Sequence, residues 1–123
     1  LGAYLDITLD FLFYSAVPFA FAVADPANAM AAAFLIFSFV GTGSSFLAFA
    51  IIAQKRGIST EIRGKKGFFY LGGLTEGSET IIFLVVVASR PDLFVSLAWA
   101  FGSLCWITTI TRVRYAIESF SDL

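Results

Sequence analysis

The stretch LGAYLDITLDFLFYSAVPFAFAVA, residues 1–24, is apolar almost throughout, yet it carries two aspartates near its start, Asp6 and Asp10. Its length suits an α-helix crossing a bilayer, for which about 20 residues are needed. It stops at Asp25-Pro26, because proline disfavours helical geometry in the residue before it. The pattern then recurs. Further apolar stretches run over about 28–53, 68–89 and 92–113, the third ending at Arg90-Pro91-Asp92. The links near 25–27 and 90–91 leave room only for tight turns between antiparallel neighbours. The fold class read from this pattern is all-α: a polytopic membrane helix bundle with four transmembrane helices.

Composition leads to the same class. Of the 123 residues, 59% are hydrophobic, and the mean hydropathy is +0.87. A soluble domain this small cannot bury so much apolar surface, whereas lipid can act as its solvent. The basic residues set an orientation. Lys55, Arg56, Arg63, Lys65 and Lys66 lie between the second and third stretches, and Arg112 and Arg114 close the fourth. Only Arg90 falls on the other side. By the positive-inside rule the basic side is cytoplasmic, and Asp6 and Asp10 lie near it.

Several functions are excluded for this chain. There is no histidine, so no imidazole base, ligand or pH switch is present and a Ser-His hydrolase is ruled out. The one cysteine, Cys105, lies in an apolar run and reads as a packing residue. No basic tract or acidic tail points to nucleic acid, and no phosphate-binding glycine loop occurs. Nothing before Asp6 resembles the basic start of a signal peptide, and the chain is expected to be the later part of a longer protein.

The polar residues inside the stretches carry the functional reading. Gly2, Asp6 and Asp10 follow i, i+4, i+8 spacing on one helical face. A carboxylate in a membrane helix costs roughly 2.5–3.5 kcal/mol on the insertion scale and is functional by default. Two carboxylates one turn apart repel, which favours a cation between them or a shared proton. Hard oxygen ligands within reach of water suit Mg²⁺, Mn²⁺ or Ca²⁺. Gly2 leaves room for a close approach to the backbone. A salt bridge to basic residues elsewhere is the purely structural alternative.

Other polar positions read less sharply. In LGGLTEGSETI, residues 71–81, Glu76 and Glu79 are three apart on one side of the third span. They either line the same pocket or belong to a structural network. Lys65 and Lys66 act as topology signals or meet substrate phosphates at the pocket mouth. Gly41 and Ser45 form a small-xxx-small pair, which reads as helix packing, with a pocket wall or a homodimer contact as the alternatives.

The run Gly2-Ala-Tyr-Leu-Asp6-Ile-Thr-Leu-Asp10 resembles the second half, G-x-x-x-D-x-x-x-D, of the CDP-alcohol phosphatidyltransferase signature. The first half of that signature, D-x-x-D-G-x-x-A-R, is absent here. Family members have six membrane helices, and this chain looks like helices three to six. FVGTGSSFLAF and YLGGLTEGSETI also resemble a bacterial inner-membrane subgroup of the family. The resemblance implies transfer of a phosphoryl-linked alcohol or phosphatidyl group from a CDP-alcohol, such as CDP-diacylglycerol, to a small alcohol acceptor, with release of CMP. It implies Mg²⁺ or Mn²⁺, two ions per complete site. Asp6 corresponds to a metal ligand, Asp10 to a metal ligand and the acceptor's base, and Gly2 to the glycine beside the nucleotide. These 123 residues alone are expected to be inactive. A reading from another class is a small cation-coupled transporter, or transporter subunit, that uses the four acids as an ion path.

Overall fold

In a computed structural model, which describes residues 1–57 and 78–121, the chain forms an all-α membrane helix bundle. Helix α1 spans Gly2–Ala24, α2 Ala29–Lys55, α3 Ser78–Ser89 and α4 Phe94–Phe120. Among the described residues there is no strand. Helices α1, α2 and α4 are each long and apolar enough to cross a membrane. At 1.5 Å per residue they reach about 35–40 Å. The expected start of the third span near residue 68 lies outside the described residues. The fourth span was expected to close at 113, but α4 continues to Phe120. Ile117 and Phe120 extend its apolar pattern past the charges of Arg112 and Arg114.

The two links are built alike. After α1, Asp25 is extended, its carboxylate accepts from the Ala27 N–H at 2.9 Å, and Pro26–Asn28 makes one 3₁₀ turn. The Asn28 side chain donates to the Phe21 carbonyl at 3.0 Å, beside the Asp25 N–H that the same carbonyl accepts at 3.2 Å, and so ties the turn to the end of α1. After α3, Pro91–Leu93 makes the equivalent turn, with Arg90 and Asp92 paired at 3.1 Å. Proline opens both turns because its missing N–H is not needed there.

Helix α2 is central. Phe11 faces Gly43 and Tyr14 faces Phe39, so α1 runs antiparallel to it. Phe34 stacks on Trp99, and Phe49 stacks on Tyr115, so α4 runs parallel to α2. Both tight turns therefore lie at one end of the bundle, as the Phe21–Phe94 stack at 4.2 Å also requires. Close approach depends on two glycines at opposite sides of the seams. A Cβ on Gly102 would stand 2.5 Å from the Phe34 ring, and one on Gly43 would stand 2.7 Å from the Phe11 ring. Gly41 also packs against α4, at the Trp106 ring, as its small-xxx-small spacing predicts.

The interior is layered. Near the turns, Leu35, Leu84, Val87, Phe94, Ala98 and Phe101 form a dry cluster. At the other end Phe49, Ala53 and Tyr115 form a smaller one. Between them lies a buried polar belt of Ser38, Thr42, Thr80, Thr108, Thr109 and Arg112. Three of its hydroxyls turn back onto their own helices: Ser38 donates to the Phe34 carbonyl at 2.7 Å, Thr42 to the Phe39 carbonyl at 3.2 Å and Thr109 to the Cys105 carbonyl at 2.9 Å. That is how a hydroxyl is satisfied where water is scarce. The outward faces expose Leu12, Phe19, Phe37, Val85 and Ile110, the surface a lipid solvent accepts.

Candidate functional site

Helix α1 places both sequence-predicted carboxylates near its start. No charge or proline interrupts residues 2–10 beyond the aspartates themselves, so the segment is helical from Gly2. One turn separates Asp6 from Asp10, a rise of about 6 Å and a rotation of about 40°. Both are exposed. Among the described residues neither has a hydrogen-bond or ion-pair partner, so the salt-bridge alternative has no counterpart there.

The carboxylates also turn away from α2. An open groove of about 550 Å³ between α1 and α2 is lined by Thr8, Phe11, Ser15, Val40, Gly43 and Ser44, among others. Thr8 is two residues from each aspartate, roughly 200° round the helix. At this level the aspartates face away from α2 and are exposed among the described residues, while Tyr14, Val17 and Phe21, which continue the same face one to three turns on, pack against the core. Gly2 stands in open space, with nothing within 4 Å of the position a Cβ would take. Packing against the described residues does not account for it.

Of the other predicted site residues, only Glu79 is described. Glu79 is exposed at the start of α3 and accepts from the Ser78 hydroxyl at 3.2 Å. Glu76, Lys65 and Lys66 lie outside the described residues. Among the described residues no three of His, Cys, Asp and Glu gather as a metal-holding group. Two unpartnered carboxylates one turn apart do fit one side of a divalent cation, whose remaining ligands must come from elsewhere.

The structure adds a site that sequence reasoning took for a topology signal. Arg112 is 1% exposed and lies inside α4, not in a cytoplasmic tail after it. Its Nη1 donates to the Thr42 carbonyl at 2.7 Å and to Ser45 Oγ at 3.0 Å, and its guanidinium lies 5.4 Å from the Phe46 ring centre. Ser45 is therefore a polar partner of α4 as well as a small packing residue. An open groove of about 470 Å³ adjoins this cluster, lined by Ser45, Phe49, Ile52, Arg112, Val113 and Ile117, among others. The missed signal was the spacing of Thr108, Arg112, Tyr115 and Ser119, which puts one polar stripe on the buried side of an otherwise apolar helix.

Comparison with known proteins supports the membrane assignment. The chain is 56% identical over 113 residues to the inner membrane protein YnjF of Escherichia coli (strain K12), an alignment covering 91% of this chain and 55% of that protein. It thus spans about half the length of the curated relative it matches. No family model matches the chain, and no solved structure matches it. Integral to the membrane, the chain is similar to a bacterial inner-membrane protein and is built as an all-α bundle.

Proposed function

We propose that the protein containing these residues is a metal-dependent CDP-alcohol phosphotransferase of the bacterial inner membrane, its site toward the cytoplasm. The supporting observation is the pair Asp6 and Asp10: two exposed carboxylates, one turn apart in a membrane helix and without a partner among the described residues. Such groups need cationic compensation, and a divalent cation supplies it. The spacing is that of the CDP-alcohol phosphatidyltransferase half-signature.

In this reading Asp6 and Asp10 hold Mg²⁺ or Mn²⁺ together with carboxylates from the other half of the signature. A divalent cation held there would supply charge neutralisation at the diphosphate and a lowered pKa for the acceptor hydroxyl. Asp10 takes the hydroxyl proton as the acceptor oxygen bonds to the phosphorus carrying the alcohol. The bond from that phosphorus to the CMP oxygen breaks, and CMP leaves. Gly2 keeps the helix start slim beside the nucleotide.

The test is CMP release from CDP-diacylglycerol by the full-length protein in detergent, across a panel of small alcohol acceptors. Activity that EDTA removes and Mg²⁺ or Mn²⁺ restores is the expected result. Absence of CMP release with every acceptor, in protein shown to be folded, would overturn the reading. Metal-independent, ion-driven uptake by proteoliposomes would favour the transporter instead.

A further inference from the structure

We propose that Arg112 is a positioning residue for Asp10, acting through α2; this rests on the cation-site reading of Asp10. Three of its contacts, Thr42, Ser45 and Phe46, fall within a single turn of α2. That turn carries a second contact on another side. Gly43 receives the Phe11 ring so closely that a Cβ there would stand 2.7 Å from Phe11 Cε1. Gly41, which faces Trp106 of α4, is two residues from Gly43 and so about 200° away round the helix. The same turn is thus gripped by α4 from one side and by α1 from the other. Phe11 is the residue after Asp10.

The consequence is a short mechanical path. The guanidinium holds a backbone carbonyl and a hydroxyl, which sets the height and rotation of α2 against α4. The bare backbone at Gly43 then sets where Phe11 rests. Phe11 in turn sets the rotation of α1 at Asp10, on a helix that buries only Pro18. Arginine suits this role because its planar fork fixes direction as well as distance. Arg112 touches neither carboxylate in this path; it determines where one of them stands.

The experiment uses the full-length protein in phospholipid nanodiscs. Arg112→Met keeps the bulk and removes the donors, and Arg112→Lys restores a donor without the fork. Spin labels replace Phe13 on α1 and Ile110 on α4, both exposed, and their separation is read by double electron–electron resonance without added metal. Mn²⁺ binding is read separately by electron paramagnetic resonance. We expect Arg112→Met to shift or broaden the separation by about 1–2 Å. Its Mn²⁺ binding should weaken about tenfold, as when supporting partners of metal ligands are lost. Arg112→Lys should recover most of both. Wild-type separations in Arg112→Met overturn the proposal, whatever happens to Mn²⁺. If the wild-type protein binds no Mn²⁺ while Arg112→Met still alters the separation, the cation reading fails and the positioning path stands. Where Arg112→Met does not fold, Arg112→Gln, neutral and with a shorter reach, is held to the same standard.

Discussion

The Nη1 of Arg112 donates to the carbonyl oxygen of Thr42 at 2.7 Å, joining residues 70 apart in the chain inside the bundle. Ionisable residues within membrane segments face the interior and pair with backbone carbonyls or one another, and Arg112 does so while 1% exposed. Its removal exposes the energetic side of that arrangement. Arg112→Ala should lower stability by about 2 kcal/mol, the scale of losing hydrogen bonds from a charged donor and leaving their acceptors unpaired. Equilibrium unfolding of the full-length protein in mixed micelles measures it, and a change below about 1 kcal/mol would show the contact to be dispensable.

The carboxylates predict the opposite pattern, with function lost and stability kept. Asp10→Asn in the full-length protein should reduce CMP release by at least about 10²-fold, the usual contribution of a general base. Asp6→Asn should raise the Mg²⁺ concentration needed for half-maximal turnover. Because both side chains are exposed and unpartnered among the described residues, neither change should alter thermal unfolding. Substantial turnover by Asp10→Asn would remove it from the role of base.

Two glycines give a paired test of packing against function. Gly102→Ala puts a methyl 2.5 Å from a Phe34 ring that is itself stacked on Trp99, so the ring cannot retreat freely. A loss of about 1–3 kcal/mol is expected, typical of overpacking. Gly2→Ala meets open space and should leave stability unchanged. If Gly2 lies beside the nucleotide, its alanine variant should instead raise KM for the CDP-alcohol with little change in kcat.

The parallel course of α2 and α4 puts both tight turns at one end, and the positive-inside rule expects that end outside. A cysteine replacing Ala27 should react with a membrane-impermeant maleimide added outside spheroplasts. A cysteine replacing Gln54 should react only after lysis. Both positions are exposed, and native Cys105 is buried. Labelling of the Gln54 position from outside would invert the assignment.

Much of the fold was legible because bilayer crossing imposes a length and proline imposes an end. Asp25-Pro26 and Arg90-Pro91 mark the two turns, and apolar runs on either side supply the helices. The end of α4 was not legible from charge alone. Arg112 and Arg114 resemble a cytoplasmic flank in sequence, yet only the tertiary neighbour Thr42 decides that Arg112 is interior. The site divides in the same way. Asp6 and Asp10 announce themselves by spacing within one helix, which a linear reading captures. The contact between Phe11 and Gly43 depends on two helices meeting, and neither residue is unusual in its own segment.

The exposed start of α1 makes bilayer thickness a variable of the candidate site. A helix of 23 residues is about 35 Å long, somewhat more than the ~30 Å of a typical hydrocarbon core, and such a helix accommodates by tilting. The described packing of α1 begins at Phe11 and runs to Ala22, whereas residues 1–7 are exposed. Thicker membranes would stand it upright and thinner ones lay it over. Either change would move Asp6 and Asp10 relative to the water line, so lipid thickness would help set the depth at which these carboxylates stand.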